Sequence, residues 1–348
     1  MESRHFFKAG LFAASLVVVF IAGWETYLRN KGMTLSYDEG PPLWADKRAR
    51  VYLPSDEATV FIGSSRIKFD LDIPTWRKLT GEDAVQLAME GASPLPILHD
   101  LAEDKKFKGK LIVDVTEGLF FSSNPGNLEG PNKGIAYYKK ETPTQKMSFG
   151  INHVLESQFV FLDKHYFTLG ALWDNLPIPK RKGVFAMPHD FPIDFSRKTF
   201  DRQSYMSPKF VADTNLRKQV TSIWQFFAGM DTSHPITGPK LDSFVLAIKK
   251  DVDQIRSRGG QVLFVRTPSS GPYWEGEQKG YPREAYWQKI LNVTNSQGIH
   301  FKDDPAIDHF VCPEWSHLSV DEAKVYTTAL VRLLKDKGWS FPKGAATL

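Results

Sequence analysis

A chain of 348 residues with 42% hydrophobic and 13% aromatic content is too apolar for wholesale disorder, and it is long enough for one large domain or two small ones. Its 44 basic and 40 acidic residues give a formal charge of +4, and the basic residues are scattered; a short cluster such as Lys180, Arg181 and Lys182 without interleaved aromatics argues against a nucleic-acid partner. The single cysteine, Cys312, excludes an internal disulfide and any CxxC metal or redox pair.

The first predicted element is a membrane anchor. The run Ala9 to Trp24 carries no charge, and Phe6 and Phe7 extend it past Lys8 to the length that crosses a ~30 Å hydrocarbon core. Arg4 and Lys8 flank it on the short side, so the N-terminus is expected in the cytoplasm and residues 30 to 348 outside a single-pass inner membrane anchor. Ala22 and Gly23 leave a cleaved signal peptide open. Trp24 and Tyr27 read as interfacial aromatics and favour an uncleaved anchor over residues 1–30. Residues 31–56, rich in Pro, Gly and charge, read as a juxtamembrane linker.

The folded domain is expected over residues 57–340. Thr59 to Ile62 form an apolar run ending in Gly63, Ser64 and Ser65, which suits a buried strand feeding a turn. Further strands are predicted at 84–88 and 110–116, with Gly91 and a helix over 95–102 between them. Residues 122–238 lack clear periodicity, mix aromatic patches with prolines and are read as an insertion or cap. A helix over 241–258 ends at Gly259 and Gly260, followed by a strand at 261–266, a helix at 283–294 and a short strand near 299–301. Ser319 with Glu322 three residues on is a capping box for a last amphipathic helix, and 341–348 is a tail. Alternating strands and helices imply an α/β fold, a mostly parallel doubly wound sheet in three layers, whose ligands bind at the carboxyl ends of the strands.

Acyl chemistry needs a nucleophile, a base and donors for an oxyanion. Ser65, in the turn after the first strand and at the start of a helix, suits a nucleophile, although Gly-Ser-Ser is also an ordinary turn. His317 follows Glu314 by three residues, a spacing that lets the acid fix the imidazole tautomer and leave the other nitrogen for a serine; a packing histidine is the plainer reading. Arg66 reads as a contact for an anionic or sugar substrate or as the partner of an acid. Ser269, in the stretch Thr267 to Gly271, and Glu117 fall at strand ends where they line the same cleft. The acidic loop Asp303, Asp304, Asp308 and His309 has no metal-ligand spacing on a regular element and reads as solvated, so no metal is expected.

Taken together, Gly63-Ser64-Ser65-Arg66, Gly91 and Glu314-x-x-His317 resemble, in order and placement, the first, second and last blocks of the SGNH (GDSL-like) hydrolase family. The resemblance covers residues 58 to 338 and leaves the middle unmatched. It implies that Ser65 attacks an acyl carbonyl, His317 serves as base and then acid, Glu314 orients His317, and the amides of Ser65 and Gly91 hold the oxyanion. Two positions depart from the family: the acid is Glu rather than Asp, and the third block's Asn is replaced by the stretch Asp114 to Gly118. Thr116 is then the substitute donor, and losing one donor costs on the order of a hundredfold in rate. Anchored members of this type, including DltD-type proteins of D-alanylation, act on envelope polymers or beside a membrane-bound O-acyltransferase. The resemblance therefore implies cofactor-free O-acyl transfer or ester hydrolysis on a cell-envelope or exported polysaccharide, with an idle SGNH-fold subunit of a polysaccharide synthesis, modification or export complex as the rival.

Overall fold

The computed structural model describes residues 2–167, 169–174, 176, 191–230 and 234–342. The basic cluster at 180–182 and residues 343–348 of the expected tail lie outside them. The chain divides into two compact units, one made of Met1–Asp38 and Pro143–Phe185, the other of Glu39–Thr142 and Ala186–Leu348.

The first unit holds the helix Glu2–Asn30, of which Arg4–Asn30 is long and apolar enough to cross a membrane. Near its end, Glu25 accepts the backbone amides of Val160 at 3.0 Å and Phe161 at 3.3 Å. Arg29 donates to the Gln158 carbonyl at 2.9 Å. The helix Pro143–Glu156, a 3-10 turn Val160–Leu162 and the short helices Lys164–Phe167 and Leu169–Asp174 complete the unit.

The second unit is α/β. Its strands are β1 (Ala58–Ile62), β2 (Asp83–Gln86), β3 (Lys110–Asp114), β4 (Arg197–Lys198), β5 (Ser204–Tyr205), β6 (Gln261–Arg266) and β7 (Gly298–His300). Five of them form one parallel sheet in the order β2-β1-β3-β6-β7, and β4 and β5 make a small antiparallel pair. Strand order reverses between β1 and β3, the switch point at which a sheet of this doubly wound kind opens a crevice. The period-2 alternation of strand side chains builds the three layers. Val60, Ile62, Leu111, Val113, Val262 and Phe264 face one core with the helices Leu95–Glu103 and Gly238–Ser257. Phe61, Ile112, Leu263 and Val265 face the other with Ile73–Thr80 and Val320–Asp336. Both faces being covered, β1, β3 and β6 read in sequence as near-continuous apolar runs.

Part of the expected linker is folded. Residues 41–49 form the helix Pro41–Ala49, with Gly40 at its N-cap; Trp44 is buried, its indole donating to the Leu87 carbonyl at 3.0 Å. The prolines that suggested a linker sit at the helix start, where the missing N–H is harmless. The expected insertion is not one body either. The helix Gly126–Lys140 packs on Pro41–Ala49 and Leu95–Glu103. Residues 143–185 belong to the first unit, and the chain from 191 returns to the second, where Phe195, Met206, Phe210 and Val220 enclose Phe69.

Candidate active site

The turn after β1 is shaped by contacts that only glycine permits. A Cβ on Gly63 would stand 2.6 Å from the Asp114 Cβ and 2.7 Å from Ile67. Ser64 then caps the helix Ser65–Asp70, accepting the Arg66 amide at 3.4 Å, and Ser65 takes the first helical position. The Ser65 amide accordingly has no intrahelical acceptor. Ser64 Oγ and Thr116 Oγ1 are 2.6 Å apart, Thr116 donates to Asp114 Oδ2 at 3.1 Å, and Thr267 donates to Asp114 Oδ1 at 3.0 Å. One hydroxyl and carboxylate network thus ties together the carboxyl ends of β1, β3 and β6.

His317 arrives from the other end of the chain. Its Nε2 lies 2.8 Å from Ser65 Oγ and its Nδ1 2.9 Å from Glu314 Oε1. The residues Glu314 to His317 form a turn rather than a helix, with Trp315 in the left-handed region at φ 81°. That turn folds the longer Glu side chain back far enough for Oε1 to accept the His317 amide at 2.7 Å as well as the ring. The Ser316 amide reaches Oε1 at 3.3 Å, and the indole of Trp224 donates to Oε2 at 2.5 Å. With the carboxylate as acceptor, Nδ1 carries the imidazole proton, and Nε2 is left to accept from the Ser65 hydroxyl. Phe69, Phe195 and Trp224 surround the imidazole, at ring-centre distances of 4.4, 5.8 and 6.2 Å. Glu314 is 0% and His317 1% exposed, while Ser65 is half-buried and open to solvent on one side.

Gly91 stands in a turn closed by the Ala92 amide on the Met89 carbonyl, at φ 63°, where a side chain would be strained. The Met89 amide donates to the Gly63 carbonyl at 3.2 Å, which holds this turn alongside the Ser65 turn. The Thr116 hydroxyl, expected as a third donor, is engaged with Asp114 Oδ2 at 3.1 Å and Ser64 Oγ at 2.6 Å.

Glu117 and Ser269, expected at a substrate cleft, meet in a buried ionic network with Arg66, whose alternative reading as the partner of an acid is the one seen. Arg266 pairs with Glu117 through two hydrogen bonds of 3.0 Å and donates to Ser269 Oγ at 2.8 Å. Glu277 pairs with both Arg266 and Arg66, and Arg66 also donates from Nε to Ser316 Oγ at 3.2 Å. Burial pushes the Glu277 carboxyl up, but the two guanidiniums outweigh it and hold it at about 2. Glu117 is left above its ordinary value by burial, against the pull of Arg266. The network anchors Arg66, the residue after Ser65, to Ser316, the residue before His317, fixing the two ends of the chain relative to each other.

Trp224, Phe69, Phe195, Glu277 and Arg266 were not singled out by the sequence reading. Trp224 and Phe195 lie in the stretch that lacked periodicity, and Glu277 sits in the helix Gly271–Gly280, whose glycines give no amphipathic signal. A cleft lined by Val211, Arg217, Ser270, Gly271 and Trp315 borders the Glu314 turn. Among the described residues, no group of three or more His, Cys, Asp or Glu side chains is placed to hold a metal ion. In the loop 303–309, Asp303 pairs with Arg283 and Asp304 with Arg332. No protein-family profile matches the sequence, and a search of curated proteins returns no match.

Proposed function

We propose that this chain is a membrane-anchored serine acyltransferase or esterase of the SGNH type, working outside the cytoplasmic membrane on O-acyl groups of an envelope or exported polysaccharide. The observation that carries the reading is the relay from Ser65 Oγ to His317 Nε2 at 2.8 Å and from Nδ1 to Glu314 at 2.9 Å, at the switch point of the sheet. Ser65 Oγ attacks the acyl carbonyl while His317 Nε2 takes the hydroxyl proton. The oxyanion forms beside the amides of Ser65 and Gly91. Collapse breaks the bond to the donor oxygen, which leaves with the proton from His317 and gives acyl-Ser65. Water or a sugar hydroxyl then attacks, passing its proton to His317. Release of acid or ester returns that proton to Ser65. The apolar helix Glu2–Asn30 supports the anchor, as an uncleaved span or a signal sequence, with Arg4 and Lys8 favouring a cytoplasmic N-terminus. A membrane-bound O-acyltransferase would be the supplier of acyl groups to such a domain.

A second reading, a non-catalytic subunit of a polysaccharide complex, is favoured by the engagement of the Thr116 hydroxyl with Asp114 and Ser64, which occupies the side chain expected to stand in for the missing Asn. Ser65→Ala and His317→Ala variants, assayed beside wild type on p-nitrophenyl acetate with mass spectrometry for acyl-Ser65, separate the two. Serine-dependent release with a trapped acyl group is expected. Equal release by wild type and both variants, with polymer acylation intact in cells carrying Ser65→Ala, would leave only the subunit reading.

A further inference from the structure

The helix Pro143–Glu156 is amphipathic with its faces inverted. Met147, Ile151, Val154 and Leu155 fall at i, i+4, i+7 and i+8, one stripe of the helix, and are 71%, 60%, 53% and 44% exposed. Glu156 is buried instead and accepts from the Asn152 amide group at 2.6 Å. Trp173, in the short helix Leu169–Asp174, is 72% exposed. An aqueous surface gives no reason to turn a charge inward and an apolar stripe outward, whereas a lipid surface does.

The same compact unit contains the candidate span, and the two are tied at a defined height. Glu25 holds the Val160 and Phe161 amides, and Arg29 holds the Gln158 carbonyl, so the segment following the inverted helix is fixed level with Trp24 and Tyr27. Those two rings stack with centroids 5.5 Å apart at the end of the apolar run, the position of an interfacial aromatic pair.

We propose that residues 143–167 and 169–174 lie in the outer surface of the bilayer, with the Met147 to Leu155 stripe and Trp173 inserted between headgroups and the first acyl carbons. The inference rests on the anchor reading above and is independent of the acyl chemistry. A single span fixes height but leaves the chain free to spin and tilt about it; a second, lateral contact with lipid removes that freedom.

The test uses the full chain reconstituted in phosphatidylethanolamine and phosphatidylglycerol vesicles, with a bimane label on Ile151→Cys, Leu155→Cys, Val18→Cys or Lys105→Cys in turn. Buried Cys312 stays unlabelled. Lipids brominated near the headgroup are expected to quench the labels at 151 and 155, which aqueous iodide leaves bright; iodide quenches only the label at 105, and deeply brominated lipid the one at 18. Iodide quenching at 151 and 155 without lipid quenching, while 18 remains lipid-quenched, would overturn the proposal. Protection of 151 and 155 from both quenchers would also overturn it, by showing that a second copy covers the stripe. Loss of lipid quenching at 18 would instead refute the anchor on which the proposal stands.

Discussion

The indole of Trp224 donates to Glu314 Oε2 at 2.5 Å, on the oxygen that His317 leaves free. The acid of the relay is thereby fixed from both sides, by its own turn through Oε1 and by the helix Thr214–Met230 through Oε2. Trp224→Phe keeps the ring beside His317 and removes the donor. A hydrogen bond to a charged group contributes about 1.5–3 kcal/mol, so we expect kcat to fall roughly ten- to a hundredfold. Steady-state kinetics on p-nitrophenyl acetate should show the loss in kcat with KM nearly unchanged; a rise in KM alone would assign Trp224 to substrate packing.

Gly63→Ala tests whether the serine turn is held by close approach. The added methyl meets Asp114 at 2.6 Å and Ile67 at 2.7 Å. Forcing an extra carbon into such a site costs about 1–3 kcal/mol. We expect a lower urea midpoint with an unchanged slope, and slower p-nitrophenyl acetate turnover, because the Asp114 network that positions Ser64 must shift.

Glu277 makes the ionic network pH-sensitive. Its carboxyl is held at about 2 in the fold, below the ~4.3 of an unfolded glutamate. The stabilisation from this group is therefore complete above about pH 4.3 and is lost as pH falls towards 2, a span of about 3 kcal/mol. Glu277→Gln should be destabilised near neutrality, where it leaves two buried guanidiniums short of a carboxylate, by about 3–5 kcal/mol. Urea midpoints of the two proteins, measured from pH 6 to 2, should converge on the acid side; parallel curves would show that the Glu277 charge is not what stabilises the pair of arginines.

Cys312 is 2% exposed, and burial together with nearby Asp70 pushes its thiol well above the ordinary value. A thiol in that state lacks the thiolate needed to react. Iodoacetamide at neutral pH should leave the folded protein unmodified and label Cys312 fully in urea, and rapid labelling of the native protein would place the loop before Glu314 in exchange with an open form.

Local signals in the sequence carried the strands and the end of the fold. The strand 261–266 and the Ser319–Glu322 capping box are seen at the expected residues, because an apolar run between glycines and a cap three residues from its partner are short-range patterns. Ser65 and His317 were singled out from spaced motifs, and the structure brings the two side chains together. The partners that stabilise them were not legible. Trp224 lies 90 residues from Glu314, and Glu277 lies 211 from Arg66, so no window of sequence contains either pair. Of the two readings open for Arg66, a substrate contact or the partner of an acid, the structure shows the second, and the acid is Glu277 from a distant helix. The helix Pro41–Ala49 was missed because prolines at a helix start and prolines in a linker look alike until Trp44 is seen to be buried.

Ser65 and His317 are 252 residues apart in the chain, and the wall that fixes Glu314 comes from the segment between them. During synthesis the serine therefore leaves the ribosome long before any base exists to withdraw its proton. Under the proposed function, a chain translocated from its N-terminus would carry an ordinary alcohol at Ser65 throughout transit, and termination anywhere ahead of residue 317 would yield fragments that lack the Ser65–His317 pair. The Ser65–His317 pair is complete only once the last tenth of the chain has been made.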